Sequence, residues 1–175
     1  NGYWEDIGTI ESFYDATLAL TDINPAFNIY DEEQPIYTKM RNLPPSKDNE
    51  AVIKSSLISE GCVLTKAKIT HSVIGIRTII ETGSELDGVI TMGTDYYESE
   101  EEKSDKKNKK LPPMGIGKNC KIAKTIIDKN SSIGDNCRIN VDGKKYDDGD
   151  HGLFYSSDGI IVIRKGVILP EGTVI

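Results

Sequence analysis

The side chains best suited to chemistry at neutral pH are three cysteines and two histidines, and their settings decide what each can do. Cys62, Cys120 and Cys137 stand in EGCVL, KNCKI and DNCRI, each two residues before an aliphatic position. Metal ligation would need thiolates at tighter spacing or histidine partners. A free cysteine otherwise packs as a small hydrophobe, so all three are expected as reduced, buried fillers of one recurring structural position. His71 lies in ITHSVIG, beside aliphatic positions, and is expected as a packed or hydrogen-bonded structural residue; His151 lies in a polar loop. Two histidines cannot give one subunit the three ligands of a histidine zinc site. Positive charge gathers at Lys39, Arg41 and Lys47, where a solvated linker and an anion site fit equally well, and in KKNKK. Acids balance the second cluster, and with a net charge of −7 they argue against nucleic acid as a partner.

These residues must be positioned by a scaffold, and its signature is a beat of six. Ile116 and Ile122 are six apart, as are Ile127, Ile133 and Ile139. Six matches neither the 3.6 period of a helix nor the two-residue alternation of a hairpin strand; it is the period of a parallel β-helix made of hexapeptide turns. Leu57, Val63 and Ile69, then Ile74, Ile80 and Leu86, repeat the beat, and Val162, Ile168 and Val174 close it with Ile163, Leu169 and Ile175 alongside. Gly134 and Asn136 supply turn residues at the bends. The fold class expected is therefore all-β.

Outside the three blocks the chain changes character. Thr9 can cap a helix with Ile10, Phe13, Tyr14, Thr17 and Leu18 on one face, which must pack on the β-helix flank or on another domain. From Asn24 to Lys47 four of the seven prolines and no sustained period mark a connector. Glu98 to Lys110 holds five acids and five bases and is expected as a solvated, mobile excursion from one corner; Asp142 to His151 follows the same pattern more weakly. No run approaches the ~18 apolar residues of a membrane span, so no membrane partner is expected. The chain opens with NGYWEDIGT rather than methionine and reads as a piece of a longer one.

The strings YWEDIGTIESFYDATLALT, PIYTKMRNLPPSK, HSVIGIR, MGTDYYE, PMGIGKNCKIAKTIIDKNSSIGDN and a closing GTVI, in this order, resemble the carboxy-terminal part of the ADP-glucose pyrophosphorylase (glucose-1-phosphate adenylyltransferase) family. The resemblance implies a left-handed parallel β-helix over residues 51–175 with an insertion at about 98–111, a linker over 22–50, and in residues 1–21 the tail of a Rossmann-like nucleotidyltransferase domain. It implies a parent enzyme that joins ATP and glucose 1-phosphate into ADP-glucose and pyrophosphate with magnesium, as a tetramer controlled by sugar phosphates and by phosphate or nucleotide. By motif, Asp6 matches a magnesium-binding aspartate and Trp4 lies beside the sugar-phosphate pocket of relatives. The glycine-rich phosphate loop of that domain does not occur in this sequence, so the chain alone is expected to be inactive.

The same resemblance places Asp95, Lys129 and Lys165 at an allosteric anion site, with Arg164 adding charge beside the last. All lie off the six-residue beat, and lysines suit a phosphate as mobile point charges. The implied partners are the parent's own catalytic domain, its homo- or hetero-tetramer subunits and a sugar-phosphate or phosphate effector. The location would be the cytoplasm of a bacterium, which is favoured, or a plastid stroma. INVDGKKYDDGDHGLFYSSDG is shorter than the plant pattern and lacks the arginine usual before its aromatic pair. The alternatives are a stand-alone hexapeptide acyltransferase, which would use a histidine as general base, and a purely structural oligomerisation module.

Overall fold

The computed structural model describes residues 3–175. Helix α1 (Ile10–Ala19) comes first, and an exposed connector leads to the first coil, formed by β1 (Lys47–Asn49), β2 (Val52–Lys54) and β3 (Leu57–Ile58). The second coil is β4 (Val63–Thr65), β5 (Lys68–Thr70) and β6 (Val73–Ile74). The third starts at β7 (Ile79–Ile80) and covers its other two sides with one strand, β8 (Glu85–Thr91). There the chain leaves the prism through α2 (Glu100–Asn108), returns at β9 (Gly115–Ile116) to begin the fourth coil and completes that coil with β10 (Lys121–Ile127). Next come β11 (Ser132–Ile133) and β12 (Arg138–Ile139), a hairpin of β13 (Gly149–Asp150) and β14 (Phe154–Ser157), then β15 (Ile160–Ile163) and β16 (Ile168–Leu169).

Stacked coils pair in parallel and make three faces, each with an inward aliphatic ladder. Leu64, Ile80, Ile116, Ile133 and Leu169 are register partners on one face. Ile53, Ile69, Leu86, Ile122 and Ile139 line the second. Ile58, Ile74, Thr91, Ile127 and Ile163 line the third. The all-β architecture and the beat of the middle block are as expected. At both ends, however, the inward residue is one later: Ile58 and Leu64 point in rather than Leu57 and Val63, and Ile163, Leu169 and Ile175 rather than Val162, Ile168 and Val174.

At Val162 that slip has a physical cause. Where a strand buries both faces it is apolar throughout and periodicity no longer tells in from out. On the third face Val73, Ile90, Ile126 and Val162 form a second, outward ladder, and α1 lies over it with Tyr14 and Leu18 buried among them. Thr9 caps this helix in a box with Ser12, and the Tyr14 hydroxyl donates to the Gly88 carbonyl at 2.6 Å. Burial, reinforced by Asp15 and Asp87, pushes the Tyr14 phenol up to about 12. The helix thus packs on the β-helix flank.

The corners explain the cysteines. At many of them, a residue with positive φ is followed by a small buried one, as in Gly61-Cys62, Lys66-Ala67, His71-Ser72, Gly83-Ser84, Asn119-Cys120, Lys124-Thr125 and Asn136-Cys137. Polar members donate to a nearby carbonyl, as Cys62 Sγ does to Gly75 at 3.2 Å and Ser84 Oγ to Gly117 at 2.6 Å. All three cysteines are free and buried. His71 corrects the expectation made for it: it is the exposed, left-handed member of its corner, with φ 45°, rather than a packed residue.

The charged excursion is also more ordered than its composition suggests. Ser99 and Glu102 form a capping box that starts α2, acids fill the first turn and lysines the last. Glu98, almost fully buried, accepts from the Met114 N–H at 2.8 Å and pairs with Lys106, which donates to Ser132 Oγ at 3.0 Å. The excursion is solvated as expected, with no buried residue in α2, but it is a helix, tied to the first face through Glu98 and Lys106. The chain leaves for it at Gly93 (φ 80°), where an added Cβ would lie 2.3 Å from the Ile76 carbonyl oxygen. Gly93→Ala is therefore expected to destabilise the fold by about 1–3 kcal/mol through strain and clash. An unfolding midpoint in urea equal to that of the parent chain would contradict this.

Candidate functional site

Equal positions of stacked coils lie about 4.8 Å apart, and this geometry builds the corner beyond the third face. Thr91, Ile127 and Ile163 are register partners, so the residues two further on, Gly93, Lys129 and Lys165, stack as well. Backbone bonds continue the stack: the Asn130 N–H donates to the Gly93 carbonyl at 3.2 Å and the Gly166 N–H to the Lys129 carbonyl at 2.9 Å. Two lysines on consecutive coils thereby point into one region. Asp95 turns back to meet them, with Oδ1 2.9 Å from Lys129 Nζ and Oδ2 3.5 Å from Lys165 Nζ.

Sequence reasoning did not single out Asn130, which holds this group together. Its Oδ1 accepts from the Asp95 N–H at 2.8 Å and its Nδ2 donates to Asp95 Oδ2 at 3.1 Å. The signal was available, because asparagine tolerates the left-handed bend and Asn130 has φ 62° at a coil corner. Lys129, then Asn130, hold the Asp95 carboxyl down at about 2, with Lys165 adding a smaller contribution. A lowered folded pKa means that this cluster contributes fully above the ordinary value of 3.8 and is lost as pH falls towards 2. A carbon-detected titration of Asp95 should show its midpoint near 2; a midpoint near 3.8 would mean that the contacts do not persist in solution.

Arg164 does not join this group. Its guanidinium forks onto Asp150, with both N–O distances 3.0 Å, and also reaches the Gly152 carbonyl. The Gly152 N–H and then Arg164 hold the Asp150 carboxyl low, and the pair fastens the β13–β14 hairpin to the coil end. That loop is largely exposed, as expected, and is pinned by an aromatic group in which His151 stacks on Phe154 with centroids 4.9 Å apart and Tyr146 meets both edge-on. His151 Nε2 lies 2.9 Å from the Asp147 carbonyl oxygen.

The structure does not bring the amino-terminal candidates into a site. Asp6 is exposed and its Oδ1 accepts from the Gly8 N–H at 3.1 Å, a local turn. Trp4 is 80% exposed. Among the described residues no three His, Cys, Asp or Glu side chains are grouped to hold a metal ion, so Asp6 alone does not fit a magnesium site. Lys39, Arg41 and Lys47 are exposed on the connector and at β1, away from the Asp95 contacts. No described helix is long and apolar enough to cross a membrane.

A group of two lysines around one carboxylate is suited to exchanging anions, since ammonium groups bind phosphate as point charges and are reachable here, Lys165 more than Lys129. Comparison with known proteins places the scaffold. The family described as the GLGC left-handed parallel beta-helix domain matches residues 41–174. The small subunit of glucose-1-phosphate adenylyltransferase, chloroplastic/amyloplastic, of Triticum aestivum is 47% identical over 177 residues, an alignment that takes in 100% of this chain and 37% of that protein. The chain spans little more than a third of that relative's length. With hexapeptide coils on three faces and a family match over nearly all of them, this chain belongs to the GLGC left-handed parallel β-helix domain family.

Proposed function

We propose that this chain is the regulatory and subunit-assembly domain of a glucose-1-phosphate adenylyltransferase, whose full length joins ATP and glucose 1-phosphate into ADP-glucose and pyrophosphate. The observation that carries the regulatory part is the convergence of Lys129 and Lys165 on one corner, held there by coil stacking rather than by chance side-chain contact. The ligand it suits is a phosphate or sugar phosphate. Arg164 serves the hairpin in this reading and acts on the effector only indirectly. Magnesium belongs to the catalytic domain of the parent, where Asp6 would be one of several oxygen ligands.

Assembly is supported by the connector and the first coil. Ile23, Tyr30, Tyr37 and Met40 are three-quarters or more exposed, and Val52 and Ile53 leave the first rung partly open. Such surfaces are normally covered by a partner, here the catalytic domain and further subunits of the tetramer. A plastid stroma is the location supported by the name of the wheat relative. The acyltransferase reading gains no support: His71 is exposed on a corner, and His151 stacks on Phe154 with its Nε2 at the Asp147 carbonyl.

Given ATP, glucose 1-phosphate and magnesium, the purified chain is expected to form no ADP-glucose, because nucleotidyl transfer depends on positioned charge that one aspartate cannot supply. In sedimentation it should self-associate at tens of micromolar. Product formation by the chain would overturn the division of labour, and a strict monomer would remove the assembly role.

A further inference from the structure

The two lysines of the corner already face a negative charge that the chain itself supplies. In the coil before them the equivalent position is Gly93, which sets no side chain beside the two ammonium groups and presses its backbone against the Gly75–Ile76 corner. Two residues on, the Asp95 carboxylate turns back to them, 2.9 Å from Lys129 Nζ and 3.5 Å from Lys165 Nζ, each oxygen meeting one lysine. Asn130 grips Asp95 at both its N–H and its carboxylate. Stacked lysines repel each other, and a tethered carboxylate between them relieves that repulsion when no ligand is bound.

We propose that Asp95 is a built-in competitor at this corner, occupying the place between Lys129 and Lys165 that a phosphate dianion would take, so that ligand binding is an exchange that expels the carboxylate. The inference rests on the anion-site reading above and adds its regulation. A monoanion offers the lysines no more charge than Asp95 does, whereas a dianion does; the resident carboxylate therefore selects for doubly charged phosphate and sets the concentration at which it binds. Expulsion also pulls on a segment with fixed ends. Gly93 is wedged against the Gly75–Ile76 corner, the Tyr97 hydroxyl donates to the Gly61 carbonyl at 2.7 Å, and Glu98 anchors α2 through Lys106. Movement of Asp95 is thus passed to α2 and the first face.

The test is calorimetric titration of this chain with inorganic phosphate at pH 8 and low ionic strength, with each variant first shown to be folded by circular dichroism. Removing a carboxylate about 5 Å from a dianion is worth on the order of tenfold in affinity, so Asp95→Asn is expected to bind phosphate about tenfold tighter than the parent chain. Asn130→Gly keeps the left-handed bend while releasing the carboxylate and should give a smaller gain in the same direction; it carries the test should Asp95→Asn fail to fold. The Lys129→Gln/Lys165→Gln double variant should lose binding. Phosphate bound equally by the double variant and the parent would overturn the anion-site reading, as would no binding by parent and Asp95→Asn alike. Lysine-dependent binding that Asp95→Asn leaves unchanged or weakens would overturn only the competitor role, making Asp95 a support for the ligand.

Discussion

Ile80→Ala is expected to lower the free energy of unfolding by about 2–5 kcal/mol, the range for truncating a fully buried isoleucine. Ile80 is wholly buried between its register partners Leu64 and Ile116, so its loss opens a cavity felt by two coils at once. In a repeat fold, stability is roughly a sum of coil and interface contributions, and a central rung touches two interfaces. Ile53, at the first coil and 38% exposed, provides the contrast: Ile53→Ala should cost far less. Urea unfolding of both variants decides. A loss below about 1 kcal/mol for Ile80→Ala, the scale of an ordinary surface change, would mean that the ladder is not the core.

The second large effect concerns regulation. In the full-length parent, Lys129→Ala and Lys165→Ala are each expected to raise the effector concentration for half-maximal response about ten- to a hundredfold, because a hydrogen bond to a charged group is worth roughly 1.5–3 kcal/mol. Lys129 belongs at the upper end, since its side chain is 35% exposed against 60% for Lys165 and water screens it less. Both lie off the inward ladders, so the unfolding midpoint should fall only slightly, through loss of exposed pairs with Asp95. Unchanged responses to every sugar phosphate and to phosphate would reduce this domain to a scaffold.

Much of this was legible in the residues. The six-residue beat from Ile116 to Ile139 could be read directly because that stretch turns regularly and, Ile126 apart, its outward strand positions are polar or small. Val162 misleads because its neighbours are equally apolar, and an outward strip covered by α1 cannot be told from a core by hydrophobicity alone. In the α2 segment charge says solvated, which its exposure bears out, and only the Ser99–Glu102 capping box says helix. Asp95, Lys129 and Lys165 came from a resemblance, and no spacing along the chain brings them together; stacking of Lys129 over Lys165 does. Arg164 shows the limit of adjacency, because its side chain leaves the corner for an Asp150 that no motif connected to it.

At 19.3 kDa the chain is within reach of amide-resolved nuclear magnetic resonance, and a phosphate titration followed in this way tests the anion site most directly. The N–H groups of Asp95, Lys129, Asn130 and Lys165 are predicted to shift together with one dissociation constant, followed by those of Tyr97 and Met114. Shifts confined to Lys39, Arg41 and Lys47, or scattered over the surface without a common constant, would contradict a phosphate site at this corner.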